Sequence, residues 1–138
     1  MLSIGELSKQ TNVKVPTIRY YEDIGLLSPS ERTAGNQRRY DSDGLVRLSF
    51  IKHARELGFS IDAISSLIEL QEHPDRSCGE ATEITNAQLS DVRAKLKKLR
   101  SLEKELVRIS KSCDGSRLSA ECYVLTALAD HALCQQDH

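Results

Sequence analysis

The chain has 138 residues, 39% of them hydrophobic and 28% charged, and its basic and acidic side chains nearly cancel to a formal net charge of −1. That length allows one domain, or one small domain with an appendage, and four Tyr and two Phe with no Trp leave a modest core that a partner chain would help to complete. The opening MLSIGELSKQTN lacks the basic-then-apolar order of a secretory signal, and no apolar run reaches membrane-spanning length, so the expectation is a cytoplasmic protein with no membrane partner and reduced cysteines.

Ser3 and Glu6 have the spacing of a capping box and predict a helix from about Ile4 to Thr11 that buries Ile4 and Leu7. Val15-Pro16 opens a second helix, with Pro where its missing N–H costs nothing, and Gly25 ends it; Ile18, Tyr21 and Ile24 share one side. Two short helices joined by a tight turn are either a helix-turn-helix or an αα-hairpin of some other helical protein. In the first case the segment 16–24 is the recognition helix and presents Thr17, Arg19 and Tyr20.

Gly35-Asn36 between polar flanks signals a hairpin turn, and so a small two-stranded wing within 28–40. Asp41 caps a third helix, Ser42 to Leu57, with Leu45, Leu48, Ile51 and Ala54 facing inward. Gly58 ends it, and Ser60 caps a fourth helix over 61–70. From Arg32 to Arg55 six basic residues meet only Asp41 and Asp43, a local positive patch able to bind phosphate in a chain that is neutral as a whole.

Beyond His73-Pro74 the pattern changes. Residues 79–112 contain no Pro and no internal Gly, and Leu89, Val92, Leu96, Leu99, Leu102, Leu106 and Ile109 recur at steps of three and four among charged neighbours. Such a helix is ~50 Å long, too long for the rest of the chain to cover. Its apolar seam calls for a second copy, so a homodimer through a coiled coil is expected.

The elements IGELSKQTNVKVPTIRYYEDIGLL, R-x-x-G-N-x-R-x-Y at Arg32–Tyr40, and LSFIKHARELGFSIDAISSLI followed by a long helix resemble the MerR family of bacterial transcription regulators over the entire chain. The resemblance implies a mainly α protein. A winged helix-turn-helix DNA-binding domain over 1–70 and a linker over 71–78 would lead into an antiparallel dimerisation helix over 79–112, with a metal-binding loop and tail over 113–138. It implies double-stranded promoter DNA and bacterial RNA polymerase as partners, and no enzymatic activity. The DNA-facing residues would be Thr17, Arg19, Tyr20 and Tyr21 on the recognition helix and Arg32, Arg38 and Tyr40 in the wing, with packing of the wing as the alternative role of Tyr21 and Tyr40. Dimers of this family hold a promoter whose spacer is too long for polymerase, and on ligand binding they bend and untwist it into line.

Thiolates prefer soft or borderline cations. Cys113 falls where the long helix ends and Cys122 opens a last short helix carrying Val124, Leu125 and Leu128, so the loop between them can turn both sulfurs to one ion. In the antiparallel dimer that the resemblance implies, Cys78 of the partner subunit completes the set. Copper- and silver-responsive relatives have Ser at the position of Cys78, so Cys here is similar to the branch that responds to divalent zinc, cadmium, lead or mercury. The step from Cys113 to Cys122 resembles the lead and mercury sensors; the zinc sensors typically have a second Cys where Asp114 stands and a His in the loop, which this chain lacks. His131, Cys134 and His138 form a candidate accessory metal clip. Two rivals to divalent-metal sensing are a thiol-based redox or electrophile sensor of the same family and, more remotely, a zinc-stabilised coiled-coil interaction module.

Overall fold

In the computed structural model, residues 1–112, 114–116 and 118–130 are described; Cys113, His131, Cys134 and His138 lie outside them. The chain separates into two compact units, Met1–Ile84 and a second beginning at Thr85. Among the described residues no helix is long and apolar enough to cross a membrane.

The first unit opens with strand β1 (Leu2–Ser3) and helix α1 (Ile4–Thr11). The Ser3–Glu6 capping box is formed in both directions, the Ser3 Oγ accepting from the Glu6 amide at 3.1 Å and Glu6 Oε1 accepting from the Ser3 amide at 3.3 Å. Asn12 leaves α1 with φ 58°, a left-handed conformation that Asn tolerates. Helix α2 (Val15–Asp23) follows with Pro16 in its first turn.

The end of α2 corrects the placement of Ile24. The helix stops at Asp23, Gly25 takes φ 82°, and the amides of Gly25 and Leu26 bond back to the carbonyls of Glu22 (3.1 Å) and Tyr21 (2.9 Å). This Schellman motif reverses the chain, leaving Ile24 exposed and burying Leu26 and Leu27 in its stead.

Strands β2 (Glu31–Arg32) and β3 (Arg38–Tyr40) form the wing hairpin. Its left-handed residue is Asn36, at φ 61°, and the Asn36 amide closes the turn on the Thr33 carbonyl at 2.8 Å. The sheet has a third strand that the sequence did not reveal: β1 pairs antiparallel with β3, Leu2 opposite Tyr40, giving the order β1-β3-β2. Two residues are too few to show an alternating pattern, and the hydrophobic contact across the pair is what recruits them.

Helix α3 (Ser42–Glu56) is capped by Asp41, whose carboxylate accepts from the Gly44 amide at 3.0 Å, and it ends in a second Schellman turn at Gly58, φ 87°. Helix α4 (Ile61–Gln71) is capped by Ser60, which accepts from the Ala63 amide at 3.1 Å. Leu7, Ile18, Tyr40, Leu48, Ile51 and Ile64 are fully buried at the centre of this unit. Ile84 packs against that cluster, which is why the unit runs past residue 70 into the start of helix α5 (Gly79–Lys111).

In the second unit, the rest of α5 is followed by a single 3-10 turn (Ser119–Glu121) and helix α6 (Tyr123–Ala129). The seam residues Leu89, Val92, Leu96, Leu99 and Leu106 are exposed on this chain, Leu99 and Leu106 by 61% and 63%. The end of the seam differs: Ile109 is buried within its own chain, as is Ala127 of α6, whereas Leu125 and Leu128 face outward.

Candidate functional site

Helix α2 alternates buried and exposed residues. Ile18 and Tyr21 enter the core, and that orientation turns Arg19 and Tyr20 outward with Thr17 half-buried between. Arg19 has no ion pair among the described residues, so its guanidinium is available to a phosphate or a base edge. It lines one cleft with Ser3, Ile4, Asn36, Gln37, Arg38 and Arg39, which brings the recognition helix and the wing to a common basic surface. Thr17 belongs to a neighbouring shallow concavity with Lys14, Tyr21, Lys52 and Arg55. Arg39, Lys52 and Arg55 belong to the stretch of excess positive charge read from the sequence, whereas nothing in the sequence marks Lys14 as part of this surface.

Glu22 organises the wing. Its side chain is only 7% exposed, and its carboxylate accepts from Arg38 Nε at 2.6 Å and from the Tyr40 hydroxyl, with Arg32 Nη2 at 3.9 Å. Opposite charges and a hydroxyl around one carboxylate satisfy its lone pairs as burial demands. The reading of Tyr40 as DNA-facing is thereby corrected: the ring is wholly buried and its hydroxyl is spent on Glu22. Tyr21 is largely buried, packs beside Tyr20 with ring centroids 5.9 Å apart, and shows one edge to the concavity that Thr17 lines. Arg38 is half-buried by its bond to Glu22, and Arg32 remains exposed at the wing edge.

Hydrogen bonding sets the charge of the caps around this surface. The Ser3 hydroxyl and amide hold the Glu6 carboxyl below its usual range, and the Gly44 amide followed by the Ser30 hydroxyl does the same for Asp41.

The described cysteines occupy equivalent local positions. Cys78 directly precedes α5 and Cys122 directly precedes α6, each accepting at its carbonyl from the amide four residues on, Thr82 at 3.0 Å and Thr126 at 3.2 Å. Cys78 is an exposed thiol outside any disulfide, and Cys122 is half-buried. Among the described residues no three Cys, His, Asp or Glu side chains stand close enough to hold a metal within one chain. Thiol sulfur is a donor that suits a soft or borderline cation. Asp114, beside Cys113 in the sequence, accepts from the Ser116 amide at 2.9 Å and from the Ser116 hydroxyl at 2.5 Å, and these bonds lower its pKa.

Next to Cys122 stands a group the sequence did not suggest. The Tyr123 hydroxyl accepts from Arg108 Nη1 at 2.5 Å, and Arg108 Nη2 donates to the buried carboxylate of Glu105. Glu105, and then Tyr123, raise the pKa of the guanidinium above its ordinary value, so it stays charged.

Comparison with known proteins places this geometry. A family model described as "MerR HTH family regulatory protein" matches residues 2–71, and one described as "MerR, DNA binding" matches residues 45–109. The HTH-type transcriptional regulator ZntR of Escherichia coli K12 is 38% identical over 134 residues, covering 96% of this chain and 95% of that protein. The transcription regulator PbrR691 from Ralstonia metallidurans CH34, in a crystal structure with lead(II), superposes with a TM-score of 0.79 at 42% identity, covering 93% of this chain and 99% of that one. The dual-function regulator MerR from Bacillus megaterium MB1, in complex with mercury(II), superposes with a TM-score of 0.67 at 28% identity, covering 94% and 100%.

Proposed function

This chain belongs to the MerR family of transcription regulators, and we propose that it binds promoter DNA as a homodimer and activates metal-resistance or efflux genes when a divalent soft metal occupies its cysteine thiolates. The observation that carries the metal reading is that Cys78 and Cys122 each stand directly before a helix, with Cys113 close after α5 in the sequence. Cys78 opens α5, Cys113 follows its last residue, Lys111, by two positions, and Cys122 opens α6. Likeness to a lead(II)-bound and a mercury(II)-bound regulator supports the same reading.

Cys113 and Cys122 of one subunit with Cys78 of the partner subunit would hold zinc, cadmium, lead or mercury, since 33 residues of uninterrupted helix separate the first Cys from the second within one chain. The bound ion supplies a cross-link between thiolates, favouring the protein conformation that gathers them; a ligand without that preference would shift nothing. Arg19 and Tyr20, with Thr17, read the major groove, while Arg32 and Arg38 on the wing hold phosphate and set register. The dimer then acts on RNA polymerase through the shape of the promoter.

The test is transcription in vitro from the protein's own upstream promoter with buffered Zn, Cd, Pb, Hg or Cu(I), comparing the natural chain with Cys78→Ser. The expected result is activation by a divalent ion, lost in Cys78→Ser while operator binding persists. Activation that is independent of metal, or retained in Cys78→Ser, overturns the three-thiolate reading and favours a redox sensor.

A further inference from the structure

Cys122 is one peptide bond from Tyr123, and Tyr123 is tied to the end of α5. Its hydroxyl accepts from Arg108 Nη1, and the guanidinium carbon lies 5.7 Å from the centroid of the same ring, so the tyrosine is engaged through both its polar tip and its π face. The guanidinium is itself aimed by Glu105, a carboxylate 5% exposed one helical turn earlier. A chain of two charge-assisted bonds therefore runs from the interior of α5 to the first residue of α6. Ile109 and Ala127, both buried, lie within a turn of Arg108 and Tyr123 along their respective helices.

We propose that Tyr123, held by Arg108 and Glu105, is a positioning residue for the thiolate of Cys122. The Tyr123–Arg108 bond holds the first residue of α6 to the last turn of α5, and so fixes the backbone next to Cys122. Cys122 then meets its metal from a site already built. Without the bond, part of the binding free energy goes to fixing the start of α6. Tyr123 touches no metal, and its effect is exerted wholly through the backbone it shares with Cys122. The inference rests on the reading of Cys122 as a metal ligand.

The experiment uses the full-length dimer of the natural chain, Tyr123→Phe, Arg108→Lys and Cys122→Ser. Each is titrated with lead(II) and with zinc(II) against a competing chelator, followed by thiolate-to-metal absorption for lead, and each apo protein is titrated with operator DNA. Loss of a supporting group around a metal ligand typically weakens metal binding on the order of 10–100-fold. The expected result is a weakening of at least about tenfold in Tyr123→Phe and a similar or smaller one in Arg108→Lys, with apo operator affinity unchanged. Metal affinity in Tyr123→Phe within about twofold of the natural chain, while Cys122→Ser loses binding, overturns the positioning role and leaves the metal site standing. An equal fall in apo operator affinity also overturns it, by marking the bond as merely structural. Binding of neither ion by the natural chain overturns the metal-sensing reading and this inference with it.

Discussion

The hydroxyl of Tyr40, at the end of the wing, donates to the carboxylate of Glu22, near the end of the recognition helix, 18 positions earlier in the chain. Arg38 binds the other oxygen of the same carboxylate at 2.6 Å. The wing is therefore fastened to the helix by one acidic residue in a surface that otherwise gathers arginines. An acidic side chain on a recognition helix would repel DNA if it faced outward; turned inward and neutralised, it sets the angle between two DNA-contacting elements.

Tyr40→Phe keeps the ring and removes only the hydroxyl. The Glu22 carboxylate then loses one partner in a buried setting, a loss of about 1.5–3 kcal/mol for a hydrogen bond to a charged group. Urea unfolding of the variant should show that fall in stability, accompanied by weaker operator binding because the wing is no longer fixed. Unchanged stability would mean that Glu22 is satisfied by Arg38 alone.

Arg19 and Arg38 should behave differently when truncated. Arg19 is exposed and has no ion pair among the described residues, so Arg19→Ala should cost about 1–3 kcal/mol of operator binding and relax preference at one base position, leaving thermal stability as it was. Arg38→Ala removes the proposed phosphate contact and also the shorter of the two ion pairs of Glu22, so it should lower both affinity and stability. Anisotropy titrations over a set of operator variants, paired with thermal melts, separate the two patterns.

Those two arginines also show what the sequence can and cannot say. Local chemistry was legible: Ser3, Asp41 and Ser60 cap helices as their spacing indicates, and Gly25 and Gly58 stop them. Each of those interactions spans five residues or fewer. The Glu22–Arg38 and Glu22–Tyr40 bonds span 16 and 18, and Arg108–Tyr123 spans 15, with no periodicity to announce them. Tyr40 illustrates the cost. As part of an R-x-Y wing pattern it reads as a DNA contact or as packing of the wing, and beside β1 it lies wholly in the core.

Acid should weaken the first unit in a defined sense. The Asp41 carboxyl is held below its ordinary value of 3.8 by the Gly44 amide and the Ser30 hydroxyl, and Glu6 is held below 4.5 by Ser3. A carboxyl whose pKa is lower folded than unfolded contributes stability that is complete above the unfolded value and is lost as pH falls through the folded one. Thermal midpoints should therefore be flat with respect to these two groups above about pH 5 and decline below about pH 4. Asp41→Asn keeps a capping oxygen without a titrating proton, so its acid decline should be shallower. An identical slope in the variant would assign the acid sensitivity to other carboxyls.

The α5 seam leaves Leu89, Val92, Leu96, Leu99 and Leu106 uncovered by their own chain, on a helix of 33 residues flanked by Lys and Arg. One exposed leucine is ordinary; five in register along one helix are a face that water opposes. Ile109 is excluded from that face because it is buried within its own chain, so the shared seam should be centred between Leu89 and Leu106. Leu99→Asp places a charge near the middle of it. In a dimer that charge is buried against the partner helix without a counter-ion, whereas in a monomer it is hydrated. Sedimentation equilibrium should show the natural chain as a dimer and Leu99→Asp shifted to monomer at micromolar concentration, with far-ultraviolet circular dichroism retaining the helices of the first unit. Operator binding should fall with the dimer, because two half-sites then have to be occupied independently. A Leu99→Asp protein that remains dimeric would move the interface off this seam.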